Sequence, residues 1–154
     1  MALRTDDLQK AERVTTDIEN KVVDTLENIE RVVIHSEPQP RTHMRYALPL
    51  ANKSGDISQH LGEAPFFALL KIRLKDKQVE HQDIKPNPFT RVEKGKGIKV
   101  AEWLVNENID YVIVKKSLQG KGPEYVFRDA GVEMSITDKD TLHAVVEQIL
   151  NETA

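Results

Sequence analysis

The sequence predicts an α/β domain in which helices cover the faces of a five-stranded mixed sheet. The first observation is the order of apolar segments after residue 44, which is strand, strand, strand, helix, strand, helix, strand, helix. The second is that only the last two strands follow a helix, so a meander is extended by two crossover units. A meander makes strands one and three parallel, and each crossover joins parallel strands, so we expect strands one, three, four and five to point the same way.

Each element of this main domain has its own sequence signal. The predicted strands are short apolar runs bounded by turn residues, and the predicted helices have apolar residues three or four positions apart. Gly131 is expected to end the second of these helices as a left-handed cap. We predict strands at 46–50, 66–74, 79–84, 111–114 and 132–136, and helices around 98–105, 124–130 and 142–150.

The first 38 residues predict a separate helix and strand. Apolar residues from Leu8 to Ile29 recur at helical spacing and give one apolar stripe, and 31–35 is a β-rich run before Pro38. This stripe must pack on the main domain, on a second copy or on sequence outside this chain. The predicted division is 1–38 for this segment, 39–43 for a linker that includes His43, and 44–154 for the main domain.

Composition excludes several classes of function. The 154 residues include 22 Lys and Arg against 25 Asp and Glu, so the net charge is −3, which disfavours a nucleic-acid partner. No apolar run is long enough to span a membrane and no secretory signal is present, so we expect a cytoplasmic protein. The chain has no Cys, which excludes disulfides and thiolate ligands.

Three loops are expected at one edge of the sheet, following strands one, three and four. Open α/β sheets bind ligands at such an edge, and glycine turns before helices can present amide hydrogens to anions. Lysines would add positive charge, and a neutral imidazole could ligate a metal. These loops are equally compatible with solvated turns. The candidate site residues are Ser58, His60, Gly62, Lys94, Gly95, Lys96, Gly97, Gly120, Lys121 and Gly122.

The segment 58–67, SQHLGEAPFF, resembles the S-x-H-F-G-x-A-x-x-F signature of the dinitrogenase iron–molybdenum cofactor family, of the NifX, NafY and NifB C-terminal type. Later motifs around Gly97, 108–113 and 131–134 are similar in order and spacing. The resemblance covers 44–150 and implies a ribonuclease-H-like three-layer fold. It also implies that the ligand is the iron–molybdenum cofactor or a related metal cluster, with His60 as a ligand.

Two positions depart from this family pattern. Leu61 replaces the usual Phe of the signature, which changes packing only. The loop after strand four begins at Lys115, where relatives often have glycine, so a close backbone approach of the ligand there is in doubt. Without Cys, a cluster would be held by His60, backbone amides and lysines, which suits a carrier better than a permanent site.

A second resemblance concerns the beginning of the chain. Residues 3–38, ending in VVIHSEP, are similar to the last helix and strand of the cytoplasmic domain of cation diffusion facilitator transporters. The resemblance implies that His35 and Glu37 bind a divalent cation such as zinc. Glu12 stands where that family often has a further His, and the family's other ligand-bearing strands are not found in this sequence.

No catalytic arrangement is evident in the sequence. Ser58 and His60 are two residues apart without an acid to orient the imidazole. Strand one carries no carboxylate, which disfavours a two-metal nuclease. We therefore expect a protein that is not an enzyme.

Three hypotheses follow from these observations. The first is a carrier or sensor domain that binds a metal cluster or another anionic ligand, with a tie to cation efflux. The second is a regulatory or dimerisation domain of a divalent-cation transporter, with a homodimer and a membrane portion as partners. The third is an enzyme acting on a small anion, for which the sequence offers only the pocket.

Overall fold

The structure of the protein is a computed structural model that describes residues 8–25, Val33 and 40–152. The chain divides between Arg41 and Thr42 into two compact units.

In the first unit the structure describes one helix, α1 (Leu8–Thr25), and outside it Val33, Pro40 and Arg41. Its predicted apolar stripe is the less exposed side, because Val14, Ile18 and Val22 are half-buried whereas most of the polar residues between them are exposed. The remainder of the predicted helix and, apart from Val33, the predicted strand at 31–35 lie outside the described residues. The proposed cation ligands His35 and Glu37 lie outside them as well.

The second unit follows the predicted order of elements. Its α3 starts earlier than predicted because Pro123, at the beginning of the helix, needs no intrahelical amide bond. The elements are β1 (His43–Leu50), β2 (Phe66–Arg73), β3 (Gln78–Pro86), α2 (Lys96–Asn106), β4 (Tyr111–Val114), α3 (Gly122–Asp129), β5 (Glu133–Ile136) and α4 (Leu142–Glu152).

The assignment of His43 to a linker is wrong. His43 is the first residue of β1 and pairs with Arg73 at the end of β2. The physical reason is the length of β2. Because β2 continues to Arg73, its antiparallel pairing with β1 extends to His43, beyond the apolar part of β1.

The sheet has the strand order β3-β2-β1-β4-β5. β2 is antiparallel to both β1 and β3, whereas β4 is parallel to β1 and to β5. Four strands therefore point the same way, as the sequence predicts. The segments that follow β1 and β4 consequently leave the sheet at the same edge.

Two apolar layers cover this sheet, which confirms the three-layer α/β architecture. On one face, Ala47, Phe67 and Val112 pack with α2 and α3, where Leu104 and Phe127 are fully buried. On the other face, a second cluster packs against α4 and consists of Tyr46, Leu48, Leu50, Ile57, Ala68, Leu70, Ile72, Ile113, Leu142, Val145 and Ile149. The two faces alternate along each strand, as period-two side chains require.

Trp103 lies off the apolar face predicted for α2, and the structure shows why. Its ring meets Phe67 edge-on, with 5.7 Å between the ring centroids. Trp103 is thereby packed at the margin of the first apolar layer. The helix needs this wider apolar face because it covers both β1 and β2.

We predict that Phe127→Ala destabilises the domain by about 3–5 kcal/mol, because it leaves a cavity in the first apolar layer. The measurement is urea unfolding followed by circular dichroism. Tyr125→Ala in the same helix is the control, since Tyr125 is 57% exposed and its loss should cost less than about 1 kcal/mol. Equal losses in the two variants would contradict this packing.

Glu80 is the centre of an ion-pair cluster at the outer end of β1, β2 and β3. Partial burial raises the pKa of Glu80. The hydrogen bond from His43 and the positive charges of His43, Lys71 and Arg73 lower this pKa by more, so that it lies below its usual value. Nε2 of His43 is buried against this carboxylate, and the Lys71 and Arg73 nitrogens lie 3.9 Å from it.

A lowered pKa in the folded state means that Glu80 stabilises the fold above its usual pKa of 4.5. This contribution is lost as the pH falls through the folded-state value. We therefore predict that the free energy of unfolding falls less steeply below pH 4.5 in Glu80→Gln than in the wild type. Urea titrations at several acidic pH values measure this, with Glu133→Gln as the charge-matched control. Parallel profiles for all three proteins would refute the prediction.

Candidate functional site

A cavity of about 440 Å³ opens at the edge of the sheet where β1 and β4 end. The segment after β1 forms one wall, and the first turns of α2 and α3 form the others. Because the carboxyl ends of parallel strands share one edge, this is where the topology places a ligand site.

Six of the predicted site residues line this cavity and four do not. The six are Ser58, His60, Gly62, Lys96, Gly97 and Lys121, and those outside the lining are Lys94, Gly95, Gly120 and Gly122. The cavity also contains charged residues that the sequence did not single out, namely Glu63, Glu93 and Lys116.

The turn that carries His60 is fixed by Ser58. The Ser58 hydroxyl accepts the His60 backbone N–H at 3.2 Å and donates to the His60 carbonyl at 3.0 Å. Ser58 is thus bonded to the backbone of His60 rather than to its ring. The imidazole belongs to an exposed residue on the cavity wall, where it can meet a ligand.

A buried amide holds the next part of the same segment. Asn87 is only 6% exposed and donates to the carbonyls of Gly62 at 3.1 Å and Ala64 at 2.8 Å. Its side-chain oxygen accepts the amide hydrogen of Phe89 at 2.9 Å. Asn87 therefore ties the signature segment to the loop after β3. The only sequence signal for this role is an Asn between two prolines, and such a residue usually marks a turn.

Three glycines let the walls of the cavity approach each other closely. A Cβ on Gly62 would lie 3.0 Å from the Gly97 amide nitrogen, and one on Gly97 would lie 2.7 Å from Cγ of Pro123. A Cβ on Gly122 would lie 2.6 Å from Cγ1 of Ile98. The lack of a side chain at these positions therefore lets the segment after β1, α2 and α3 pack closely.

The other two glycines serve a different purpose. Gly95 and Gly120 have φ angles of 71° and 75°, in the left-handed region, and nothing lies within 4 Å of a Cβ built on either. Glycine adopts this conformation without strain. Their role is to turn the chain into α2 and α3.

At the start of α3, the backbone amide that could bind an anion is already bonded to a carboxylate of the protein, that of Glu124. Glu124 is 8% exposed, and its carboxylate accepts the Gly120 amide hydrogen at 2.5 Å and is paired with Arg128. A carboxylate in the first turn is favoured by the helix dipole. Gly120 consequently has its amide bonded to Glu124, and the charge that α3 brings to the cavity comes from Lys121.

Charge in the cavity is positive overall. Lys96, Lys116 and Lys121 stand against Glu63 and Glu93, which leaves one excess positive charge when His60 is neutral. The neighbouring Lys115 is instead bonded to Asp140. The hydrogen bond and charge of Lys115 hold the pKa of Asp140 below its usual range.

The cavity offers one imidazole rather than a complete metal site. Within residues 8–25, 33 and 40–152, no group of three or more His, Asp or Glu side chains could hold a metal ion. A metal bound here through His60 would have to bring most of its own ligands.

The same described part of the chain contains no helix that is long and apolar enough to cross a membrane.

Residues 44–152 match the sequence model of the family described as dinitrogenase iron-molybdenum cofactor. The chain belongs to this family. The match spans all of the sheet except His43, together with the cavity and the His60 segment, and it confirms the resemblance found at 58–67. It begins at Met44, so the resemblance of the first 38 residues to cation diffusion facilitators stays a prediction.

Solved structures share the fold. The apo form of the orange protein from Desulfovibrio gigas superimposes with a TM-score of 0.57 at 17% identity, covering 73% of this chain and 92% of that protein. A putative NifB protein from Thermotoga gives a TM-score of 0.54 at 20% identity, covering 71% and 90%. A putative dinitrogenase from Methanocaldococcus jannaschii gives 0.51 at 16% identity, covering 72% and 91%. No curated protein matches the sequence closely enough to count as a relative.

We predict that Gly97→Ala destabilises the domain by about 1–3 kcal/mol, because its methyl group would displace Pro123. The same variant should weaken ligand binding in the cavity, since Lys96 and Pro123 would both move. Urea unfolding measures the first effect. Lys99→Ala, at an exposed position of α2, is the control and should change the free energy by less than about 0.5 kcal/mol. A Gly97→Ala variant as stable as this control would disprove the close packing.

Proposed function

We propose that this domain binds a preformed anionic metal cluster of the iron–molybdenum cofactor type and carries it without transforming it. Two observations together support the proposal. The chain belongs to this family, and one cavity is lined by a single imidazole, that of His60, and by three lysines. The volume of about 440 Å³ falls in the usual range for small-ligand sites.

The charges of the cavity favour a cluster over a bare cation. The three lysines outnumber Glu63 and Glu93 by one charge, so the cavity does not favour a free divalent ion, and its lining offers no complete set of metal ligands among the described residues. A cluster that already has its own sulfide and organic ligands needs only one protein ligand and a positive environment. The His60 imidazole can provide the ligand, and the lysine ammonium groups provide the positive environment.

A carrier role also agrees with the chemistry of the residues around His60. The Ser58 hydroxyl is engaged by the His60 backbone, so it is not activated as a nucleophile by the ring. Glu63 and Glu93 line the same cavity, but neither has an ion pair or hydrogen bond among the described residues that would orient it for acid–base work. Binding and release require no such orientation.

A tie to cation efflux is the finer part of the proposal. It is supported by the His35-Ser36-Glu37-Pro38 sequence at the end of the first segment, which resembles the closing motif of cation diffusion facilitators. In this reading the first unit responds to a divalent cation, as a sensor or dimerisation element of a transport system, and the second unit binds the cluster.

We expect the wild-type domain to bind iron–molybdenum cofactor isolated from dinitrogenase, and His60→Ala to bind it at least roughly tenfold more weakly because a metal–imidazole bond is lost. Anaerobic gel filtration with iron and molybdenum analysis measures the bound cluster. His143→Ala is the control, since that side chain is 85% exposed, lies outside the cavity and pairs with Glu147 on α4. Retention of full affinity in His60→Ala would overturn the assignment of the ligand.

The lysines are tested separately. The triple variant Lys96→Gln, Lys116→Gln, Lys121→Gln should bind the same cofactor more weakly and show less dependence on salt, because surface charges act over about 8–10 Å and are screened by ions. Lys75→Gln, Lys99→Gln, Lys139→Gln removes the same charge at exposed positions outside the cavity. Equal binding by the two triple variants would contradict an electrostatic role of the cavity.

A further inference from the structure

A second cavity, of about 520 Å³, lies on the same face of the sheet at the opposite end of β1. Arg45 on β1, Leu69 and Lys71 on β2 and Asp83 on β3 line it, together with Glu107 and Ile109 at the carboxyl end of α2. It shares no lining residue with the cavity around His60. It is therefore a distinct candidate site.

Strand register fixes which side chains face this cavity together. Arg45 pairs with Lys71 across β1 and β2, and Leu69 pairs with Asp83 across β2 and β3. Since alternate residues of a strand share a face, Arg45 and Asp83 stand on the same face with Leu69 between them. Two strand spacings separate β1 from β3, which is about 10 Å.

Most charges in this cavity are already paired within the protein. The Lys85 ammonium donates to both carboxylate oxygens of Glu107, at 3.1 and 3.2 Å. Glu80 is bonded to His43 and lies 3.9 Å from the Lys71 nitrogen. These groups neutralise one another and leave little charge for a ligand.

Arg45 and Asp83 are the exceptions. Among the residues that the structure describes, no carboxylate pairs with the Arg45 guanidinium, and no cation pairs with the Asp83 carboxylate. The backbone of Arg45, rather than its side chain, donates to Asp110 at 2.9 Å. One cation and one anion thus face the same cavity from opposite sides of an apolar residue, Leu69.

We propose that this second cavity binds a free α-amino acid with an apolar side chain. Guanidinium groups recognise carboxylates through two parallel hydrogen bonds, so the ligand carboxylate is assigned to Arg45. The ammonium group is assigned to Asp83, and the negative end of the α2 dipole near Glu107 favours the same charge. Leu69 and Ile109 provide the apolar contact for the side chain.

The charge balance argues against simpler ligands. Three cationic residues, Arg45, Lys71 and Lys85, face three acidic ones, so neither a bare anion nor a bare cation meets a net opposite charge. The acids also do not form a metal site among the described residues. A zwitterion satisfies both unpaired groups at once without adding net charge.

The test is an amide chemical-shift titration of the ¹⁵N-labelled full chain with L-leucine. We expect shifts at Leu69, Lys71 and Asp83, with little change near His60. Arg45→Gln and Asp83→Asn should each weaken the affinity roughly 10- to 100-fold, which corresponds to one lost charged hydrogen bond. Lys99→Gln, at an exposed position of α2 that lines neither cavity, is the control and should bind L-leucine like the wild type. A preserved amide spectrum shows that each variant is folded.

Two analogues separate the two contacts. L-Leucinamide lacks the carboxylate and 4-methylpentanoate lacks the ammonium group, so both should bind more weakly than L-leucine. In Arg45→Gln the preference for L-leucine over L-leucinamide should disappear. The absence of shifts in the wild type, equal binding of all three compounds, or unchanged affinity in both variants would each overturn the proposal. None of these outcomes depends on cluster binding at His60.

Discussion

The contact on which the site depends is the close approach of backbone at Gly62, Gly97 and Gly122. At each of these positions a methyl group would lie 3.0 Å or less from a neighbouring atom of the next segment. The segment after β1, the start of α2 and the start of α3 therefore meet as closely as they do because these three residues lack side chains. This packing brings His60, Lys96 and Lys121 around one volume, although they are far apart in the chain.

The fold was largely predictable because each element carries a local signal. The run 111–114 is apolar and bounded by polar residues, and β4 has these same limits. The common direction of four strands followed from connection rules alone. The start of β1 was not predictable, since His43 belongs to the strand through its pairing with Arg73, which is an interaction across the sheet rather than a property of its own neighbours.

The site was predictable in outline but not in chemical detail. His60 and the glycine-containing loops could be predicted from the sequence. The same prediction, however, assigned all the glycines one role, that of binding an anion. The structure separates Gly97, which is needed for packing, from Gly120, whose amide is bonded to Glu124. Lys116 was missed because a lysine just after a strand has no local signal that distinguishes it from Lys115, which is bonded to Asp140.

The internal carboxylate of Glu124 has a consequence for how long cargo would remain bound. The amide of Gly120 is bonded to Glu124 and lies outside the cavity lining, so the positive charge in the cavity comes from the side chains of Lys96, Lys116 and Lys121. Rigid amides would have to release an anion in one step, whereas such side chains can follow it outward and lose contact one after another. For a domain that carries a cluster as proposed, this arrangement favours exchange, and a recipient with stronger metal ligands would remove the cargo without unfolding the donor.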